Sequence, residues 1–242
     1  MQHALELGPV PAMDLAAACA GFVYGLDLAA RAVLTGDRAV LLAAGECRVR
    51  SLDRAAAGVR VLFGDGAAAA VIARGDDPDL AAGGLRLALV ATALGADGAG
   101  HDAIRVEAGG SRQPASLETV AAGLHALAMV DGPHVFYRAV EGFVEIGRAL
   151  LDPLGLTPAD IDLIVPHQPN LRILERVARL MRLPLERFAL EVADIGNVGG
   201  ASVGIALDRA LRAGRIGPGA KVVLLTAGAG YTAAAALLEV VA

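Results

Sequence analysis

Apolar residues along this chain recur with two different periods, and the switching between them spells out an order of elements. Phe22–Leu34 places Val23, Leu26, Ala30 and Val33 on one helical face, and Gly36 follows as a C-terminal stop. Ahead of that helix the run Ala12–Ala17 reads as a strand, with Gly21 supplying a tight turn. Arg38–Ala44 reads as a buried strand, so these elements form a β-α-β unit expected to cross over right-handed. Val61–Ala73 reads as two short strands separated by Gly64-Asp65-Gly66, where small residues let backbones approach closely. Residues 75–115, rich in Gly, Asp and Pro, read as connecting loops around one strand near Leu85–Thr92. A long helical stretch follows, Ser116–Val130 and then Val135–Leu151. The pattern then sharpens. Ile161–Val165 reads as a strand, and Leu171–Met181 as a helix with Leu171, Leu174, Ala178 and Met181 on one face. Phe188–Val192 is a further strand, Ser202–Ala213 a further helix and Lys221–Thr226 a third strand. This alternation describes a layered α/β protein.

Composition narrows the picture. Over 242 residues, 55% of them apolar, the chain is long enough for a sizeable core and too apolar to be disordered. A mean hydropathy of +0.56 raises the question of a membrane span. The uncharged run Val222–Leu238 contains Thr226, Gly228, Gly230 and Tyr231, and reads better as strand–turn–strand than as a spanning helix. Two cysteines without CxxC spacing make neither a zinc site nor a disulfide framework, which points to a reducing cytoplasm. A net charge of −5 argues against a nucleic-acid partner.

Candidate chemistry begins at Cys19, set between the Ala12–Ala17 run and the start of the first helix. A thiol at such a corner feels the positive end of the helix, which lowers its pKa and favours the thiolate. The alternative is a small buried core cysteine. His167, in Val165-Pro166-His167-Gln168-Pro169-Asn170, stands just past the carboxyl end of a strand, the edge where ligands bind in open α/β sheets. Asn197 sits in the glycine-rich stretch Gly196-Asn197-Val198-Gly199-Gly200 ahead of another helix. Ala227-Gly228-Ala229-Gly230 follows a third strand, and its backbone N–H groups could hold an oxyanion. Singly, the histidine reads as a satisfied polar residue and the asparagine as a turn residue. Jointly they suggest covalent catalysis through a thioester.

These residues lie in segments that resemble the β-ketoacyl-acyl-carrier-protein synthase III family of thiolase-superfamily condensing enzymes. The segments are DLAAACAGFVYGL (14–26), LFGDGAAAAVI (62–72), GGSRQPA (109–115), VPHQPNLRI (165–173), GNVGGASVGIALD (196–208) and LLTAGAGYT (224–232). They run in family order and cover nearly the whole chain. The resemblance implies a thiolase-like fold of two similar layered α/β halves with mixed sheets. Residues 1–74 would be the remnant of the N-terminal half carrying the nucleophile, and 75–242 the C-terminal half carrying His167 and Asn197. It implies a Cys19–His167–Asn197 triad and an oxyanion hole of the Cys19 and Ala229 backbone N–H groups. Elongating relatives pair the cysteine with two histidines, so Asn197 favours the initiating class. The partners implied are acyl-CoA and malonyl-acyl carrier protein, in a cytoplasmic homodimer without metal, nucleotide or redox cofactor, membrane or nucleic acid.

Arg172 and Arg138 are the candidate carrier-docking cations. Two departures from the family pattern stand out. Val198-Gly199-Gly200 follows the loop asparagine where hydroxyl and small residues are usual, and Tyr137 occupies a basic position, with Arg138 one step later. The second half has 168 residues and the first only 74, so the chain is expected to be an N-terminally truncated sequence. Phe22, Leu62 and Phe63 are assigned to the core, and Gly64 and Asp65 to a structural role. Two other readings stay open: acyl transfer to a hydroxyl or amine without decarboxylation, and a non-catalytic fragment.

Overall fold

The computed structural model describes residues 1–52, 57–77 and 86–241. In chain order its helices and strands are α1 (Gly21–Leu34), β1 (Ala39–Glu46), α2 (Ala57–Arg60), β2 (Gly66–Ala73), β3 (Arg86–Ala96), β4 (Ile104–Val106), α3 (Leu117–Ala121), β5 (Leu127–Met129), α4 (Gly132–Leu151), β6 (Leu163–Pro166), α5 (Leu171–Met181), α6 (Val192–Ile195), α7 (Ala201–Arg212), β7 (Lys221–Ala227) and β8 (Thr232–Val241). The main sheet has the order β3-β8-β7-β6; β6 runs parallel to β7, and β8 is antiparallel to both its neighbours. Strands β1 and β2 form a separate antiparallel pair, as do β4 and β5.

Side-chain alternation divides the main sheet between two cores. On one face Ile164, Val223, Leu225, Ala233, Ala235 and Leu237 pack against α4 and α5, with Phe143, Leu151, Val177 and Phe188 fully buried or nearly so. On the other face Leu163, Val165, Val222, Leu224, Ala234 and Ala236 meet α1 and α7 through Phe22, Val23, Leu26, Val203 and Ala206. The inner face of the β1–β2 pair, Leu42, Ala44, Ala68, Ala70 and Ile72, closes over the same two helices. The layers therefore run α4/α5, main sheet, α1/α7, small sheet. Close approach is possible because residues at the crossings are small. A Cβ on Gly204 of α7 would lie 2.5 Å from the Ala68 Cβ, and one on Gly25 of α1 2.4 Å from a Leu42 methyl. Buried Asp27 ties α1 to the main sheet by accepting from Thr92 Oγ1 at 2.6 Å while pairing with Arg31.

Several sequence expectations need correcting. Ala12–Ala17 has no regular structure and is exposed as far as Ala16, with Ala17 buried, because among the described residues no strand completes a ladder with it; the expected β-α-β unit is absent with it. The strand expected over Arg38–Ala44 exists as β1, but its outer face is exposed rather than buried. Val61–Ala73 holds one strand, not two, since Phe63 makes only an isolated bridge to Asn197. Ser116–Val130 breaks into the short α3 and β5, with the left-handed Gly123 between them. Phe188–Val192 is no strand; Phe188 bridges Ile164 once before the chain turns into α6. Leu171 is exposed, and Ile173 and Val177 take its place on the buried face of α5. Of the expected Leu85–Thr92 strand, Leu85 lies outside the described residues, and the rest belongs to the longer β3.

Candidate active site

Parallel β6 and β7 end at the same edge of the main sheet, and the groups of interest gather there. His167 immediately follows β6 and is held by its backbone N–H donating to the Leu225 carbonyl at 2.8 Å. Gly228 follows β7, and a Cβ there would come within 2.8 Å of the Cys19 Cβ and 2.9 Å of its backbone nitrogen. Only a glycine lets the turn after β7 lie against the cysteine. Thr232, opening β8, donates its hydroxyl to the Ala17 carbonyl at 3.1 Å and anchors the same turn from the other side.

Cys19 itself stands in a short 3₁₀ turn, Ala18–Ala20, that runs directly into α1. Ala18 has φ = +45°, a left-handed conformation costing a non-glycine residue roughly 1–2 kcal/mol. That sharp reversal delivers the cysteine to the sheet edge at the helix N-terminus. The backbone N–H groups of Cys19 and Ala229 both interact with the thiol sulfur and favour its anion, as does the charge of Arg48. Burial opposes them and wins, pushing the thiol up to about 11, with Glu46 adding in the same direction. At this half-buried cysteine desolvation works against the helix-end effect expected from sequence, so the thiol is raised rather than lowered. His167 is 1% exposed, and burial pushes its imidazole down to about 3. Both groups are thus neutral at rest.

Asn197 is buried, and its backbone clasps the Phe63 segment in both directions. Its N–H donates to the Leu62 carbonyl at 2.7 Å and its carbonyl accepts from Gly64 N–H at 3.1 Å. Gly64 is required here, because a Cβ would fall 2.0 Å from the Ile195 carbonyl oxygen. Asp65 accepts from Val49 N–H at 2.9 Å, in keeping with its structural assignment. The Asn197 side-chain oxygen accepts from Gly199 N–H at 2.9 Å. That bond orients the amide.

Two residues that sequence reasoning passed over complete the site. Ser202, read only as the start of a helix, is fully buried, and its Oγ lies 2.7 Å from His167 Nδ1. Glu46 accepts from Gly200 N–H at 3.2 Å and pairs with Arg48 at 3.0 Å. A Cβ on Gly199, itself at φ = +47°, would lie 2.6 Å from the Glu46 carboxylate. At Gly199 the departure has a structural counterpart: the Glu46 carboxylate, arriving from the end of β1, occupies the space a side chain there would need. No local signal marks Glu46 or Ser202, since each earns its place through a partner 154 or 35 positions away.

The two docking candidates differ in their surroundings. Arg172 is exposed near the start of α5, whose N-cap Asn170 accepts from Ile173 N–H at 3.0 Å. Arg138 is engaged: its guanidinium pairs with Asp97 at 2.5 Å and Glu141 at 3.1 Å and lies 4.9 Å over the Tyr231 ring. Cys47 is exposed and distant in character from Cys19. Among the described residues no helix is long and apolar enough to cross a membrane.

Comparison with known proteins places this architecture. Residues 13–98 match the family model described as 3-oxoacyl-[acyl-carrier-protein (ACP)] synthase III, and residues 151–240 its C-terminal counterpart. The chain is 38% identical to a β-ketoacyl-[acyl-carrier-protein] synthase III of Clostridioides difficile, over 99% of this chain and 70% of that protein. Among solved structures, the Pseudomonas aeruginosa 3-oxoacyl-(acyl carrier protein) synthase III superposes with a TM-score of 0.85 at 35% identity, covering 100% of this chain and 72% of that one. The priming β-ketosynthase of the R1128 polyketide pathway superposes at 0.82 with 34% identity, covering 98% of this chain and 68% of that one. The fold is thus thiolase-like, as the sequence resemblance implied. The chain spans about seven tenths of the length of these relatives.

Proposed function

Because the chain belongs to the 3-oxoacyl-[acyl-carrier-protein] synthase III family, we propose that it is the acyltransferase that starts fatty acid or polyketide synthesis, with Cys19, His167 and Asn197 as its catalytic residues. The reaction is a decarboxylative condensation of an acyl-CoA with malonyl-acyl carrier protein. The observation that carries the site assignment is the convergence of three turns: the one after β7 lies against the cysteine at the start of α1, where a Cβ on Gly228 would come 2.8 Å from the Cys19 Cβ, and His167 is pinned to the neighbouring strand end through Leu225. An acyl oxygen bound there would meet backbone N–H groups of Cys19 and Ala229 where charge develops, the arrangement that stabilises a tetrahedral oxyanion.

In the first half-reaction the Cys19 sulfur attacks the acyl carbonyl, the tetrahedral intermediate collapses, and the CoA sulfur leaves. In the second, malonyl thioester loses CO₂, and the electrons of the broken C–C bond form an enolate. Its oxygen is held by hydrogen bonds from His167 Nε2 and Asn197 Nδ2. The enolate carbon then attacks the acyl-Cys19 carbonyl and expels the sulfur, giving the β-ketoacyl product. In this reading residues 1–74 supply the nucleophile and 75–242 the enolate donors, and the enzyme works as a cytoplasmic homodimer. Arg172 is the cation offered to the acidic carrier protein. Arg138 already holds two carboxylates, so its part there is secondary.

The test is intact-mass detection of acyl adducts across a panel of acyl-CoAs, followed by measurement of CO₂ released from malonyl-acyl carrier protein. An adduct mapped to Cys19 and stoichiometric CO₂ are expected. Acyl transfer to a hydroxyl or amine without CO₂ would overturn the condensing reading, and absence of any adduct would overturn the enzymatic one.

A further inference from the structure

Gly199 is the point on which both enolate donors of the proposed reaction depend. Its backbone N–H donates to the Asn197 side-chain oxygen at 2.9 Å, and its carbonyl accepts from the Ser202 hydroxyl at 2.8 Å. That hydroxyl in turn lies 2.7 Å from His167 Nδ1. One short segment therefore sets the aim of the asparagine amide and the seat of the imidazole. Its own sequence does little to hold it. Gly199 stands at φ = +47°, and Gly200, at the N-cap of α7, has no side chain with which to cap the helix.

Glu46, the last residue of β1, supplies what the loop lacks. Its Oε1 accepts from Gly200 N–H at 3.2 Å, and its Oε2 accepts from Arg48 Nε at 3.0 Å. A carboxylate on that N–H faces the positive end of α7, where an anion is stabilised. The same Oε1 stands 2.6 Å, and Cδ 2.7 Å, from the place of a Cβ on Gly199, so the carboxylate lies directly against that residue. The Glu46 side chain is only 18% exposed, which limits competition from water. A second anchor of the loop is backbone to backbone, through the Asn197 bonds to Leu62 and Gly64 at 2.7 and 3.1 Å. Beneath the dominant effect of burial, both charges of the Glu46–Arg48 pair are felt at the Cys19 thiol, Arg48 lowering its pKa and Glu46 raising it. The pair therefore stands beside the site.

We propose that Glu46 is a positioning residue that reaches from β1 to lock the 197–200 loop, holding the Asn197 amide in the orientation in which it meets the enolate oxygen. This rests on the condensing reading above. Glu46 touches no reacting atom and acts only through Gly199 and Gly200. Removing its side chain strips the Gly200 N–H of its acceptor and opens the space beside Gly199. The peptide between them is then free to turn, and the Gly199 N–H that orients the Asn197 amide turns with it. Decarboxylation uses that amide and suffers. Acylation of Cys19 depends on the separate turn at Ala18–Ala20 and is spared. An uncharged acceptor in the same place still satisfies the Gly200 N–H, so the lock survives Glu46→Gln in large part.

The test assays the two half-reactions separately in Glu46→Ala, Glu46→Gln, Gly199→Ala and the double variant Glu46→Ala/Gly199→Ala. It is read beside ¹⁵N NMR of the side-chain amides in a chain labelled at asparagine. The sequence has two asparagines, Asn170 and Asn197, so two amide signals are expected, told apart by Asn197→Ala. Glu46→Ala should lower kcat for malonyl decarboxylation about tenfold, the scale of a misplaced catalytic group, with KM for the carrier substrate and the acylation rate within about twofold. Its Asn197 amide signal should shift or broaden. Glu46→Gln should bring decarboxylation back to within about threefold of the parent, since it keeps the acceptor. Gly199→Ala, whose Cβ displaces the same carboxylate, should reproduce the loss, and the double variant should lose no more than the worse single one. Equal falls in both half-reactions, a Gln variant as damaged as the Ala variant, or losses that multiply in the double variant overturn the proposal. If Glu46→Ala does not fold, Gly199→Ala decides: unaltered decarboxylation and an unmoved Asn197 amide signal overturn it. If the parent chain releases no CO₂, the condensing reading fails first, while an Asn197 amide signal unmoved by Glu46→Ala still overturns the role of Glu46.

Discussion

The main sheet and the small β1–β2 sheet are written in nearly the same apolar alphabet, yet they live in different surroundings. In β7 every position after Lys221 is buried, because α4 and α5 cover one face and α1 and α7 the other. In β1 and β2 exposure alternates, with Leu41 at 42% and Val71 at 60% on the face turned away from α1 and α7. A continuous apolar run therefore reports that a strand is suited to a two-sided core, not that this chain covers both its faces. The division matters for chemistry. Gly228, His167 and Ser202 are fixed by the wrapped sheet and its helices. Cys19 is delivered by a strained 3₁₀ turn, and Glu46 by the end of a half-covered strand.

The sharpest way to break this comparison is at the two ends of the site. Cys19→Ala is expected to abolish acyl labelling by acyl-CoA altogether, while Cys47→Ala leaves it unchanged, as peptide mass mapping would read. Cys47 is the more exposed thiol, so a general alkylating reagent should show the reverse preference. Labelling of Cys47 by acyl-CoA would mean that the strained turn at Ala18 does not present a nucleophile.

Next in size are His167→Ala and Asn197→Ala, each expected to lower malonyl decarboxylation by about 10²–10³, the usual loss for one donor to a developing oxyanion. Acylation should fall by less, because neither substitution touches the turn that sets Cys19 at the start of α1. Separate assays of the half-reactions would show it. Equal losses in both would erase the division of labour between the two regions.

Packing should separate the sheets more modestly. Leu224→Ala in the wrapped sheet, where the side chain is 0% exposed, is expected to cost about 2–5 kcal/mol. Val71→Ala on the open face should change stability by no more than about 0.5 kcal/mol. Urea midpoints measure both, and comparable losses would mean that the outer face of β1–β2 is covered in solution.

pH probes the burial of the site directly. His167 sits at about 3, below its ordinary 6.5, so its contribution to stability is present above that ordinary value and is lost as pH falls toward 3. Cys19 sits at about 11, above its ordinary 9.0, so its contribution is present below 9.0 and is lost as pH rises toward 11. Urea midpoints should therefore decline on both sides of a plateau between those ordinary values. Cys19→Ala should flatten only the alkaline side, and a His167→Gln chain only the acid side.

Elements whose signal is local were legible without a structure. The face of α1, the existence of helices α4 and α7, the strand–turn–strand of β7 and β8, and the glycine spacing around residues 64, 199 and 228 all follow from period, capping and turn chemistry. Elements that need a distant partner were not. Ala12–Ala17 has the composition of a strand but no ladder partner, and Phe63 and Phe188 make single bridges where strands were expected. Residues 116–130 have helix-forming composition, but Gly123 in the left-handed region breaks it.

By itself the sequence determined the layered α/β class, the family, and which cysteine, histidine and asparagine to watch, because those depend on short motifs and their order. Tertiary structure alone decided the protonation of that site. The helix end at Cys19 favours a thiolate, and only the folded surroundings bring the desolvation that works against it. It alone also supplied Ser202 beneath His167 and Glu46 against Gly199, for a buried hydrogen bond is a relation between two distant positions that neither residue carries in its own neighbourhood.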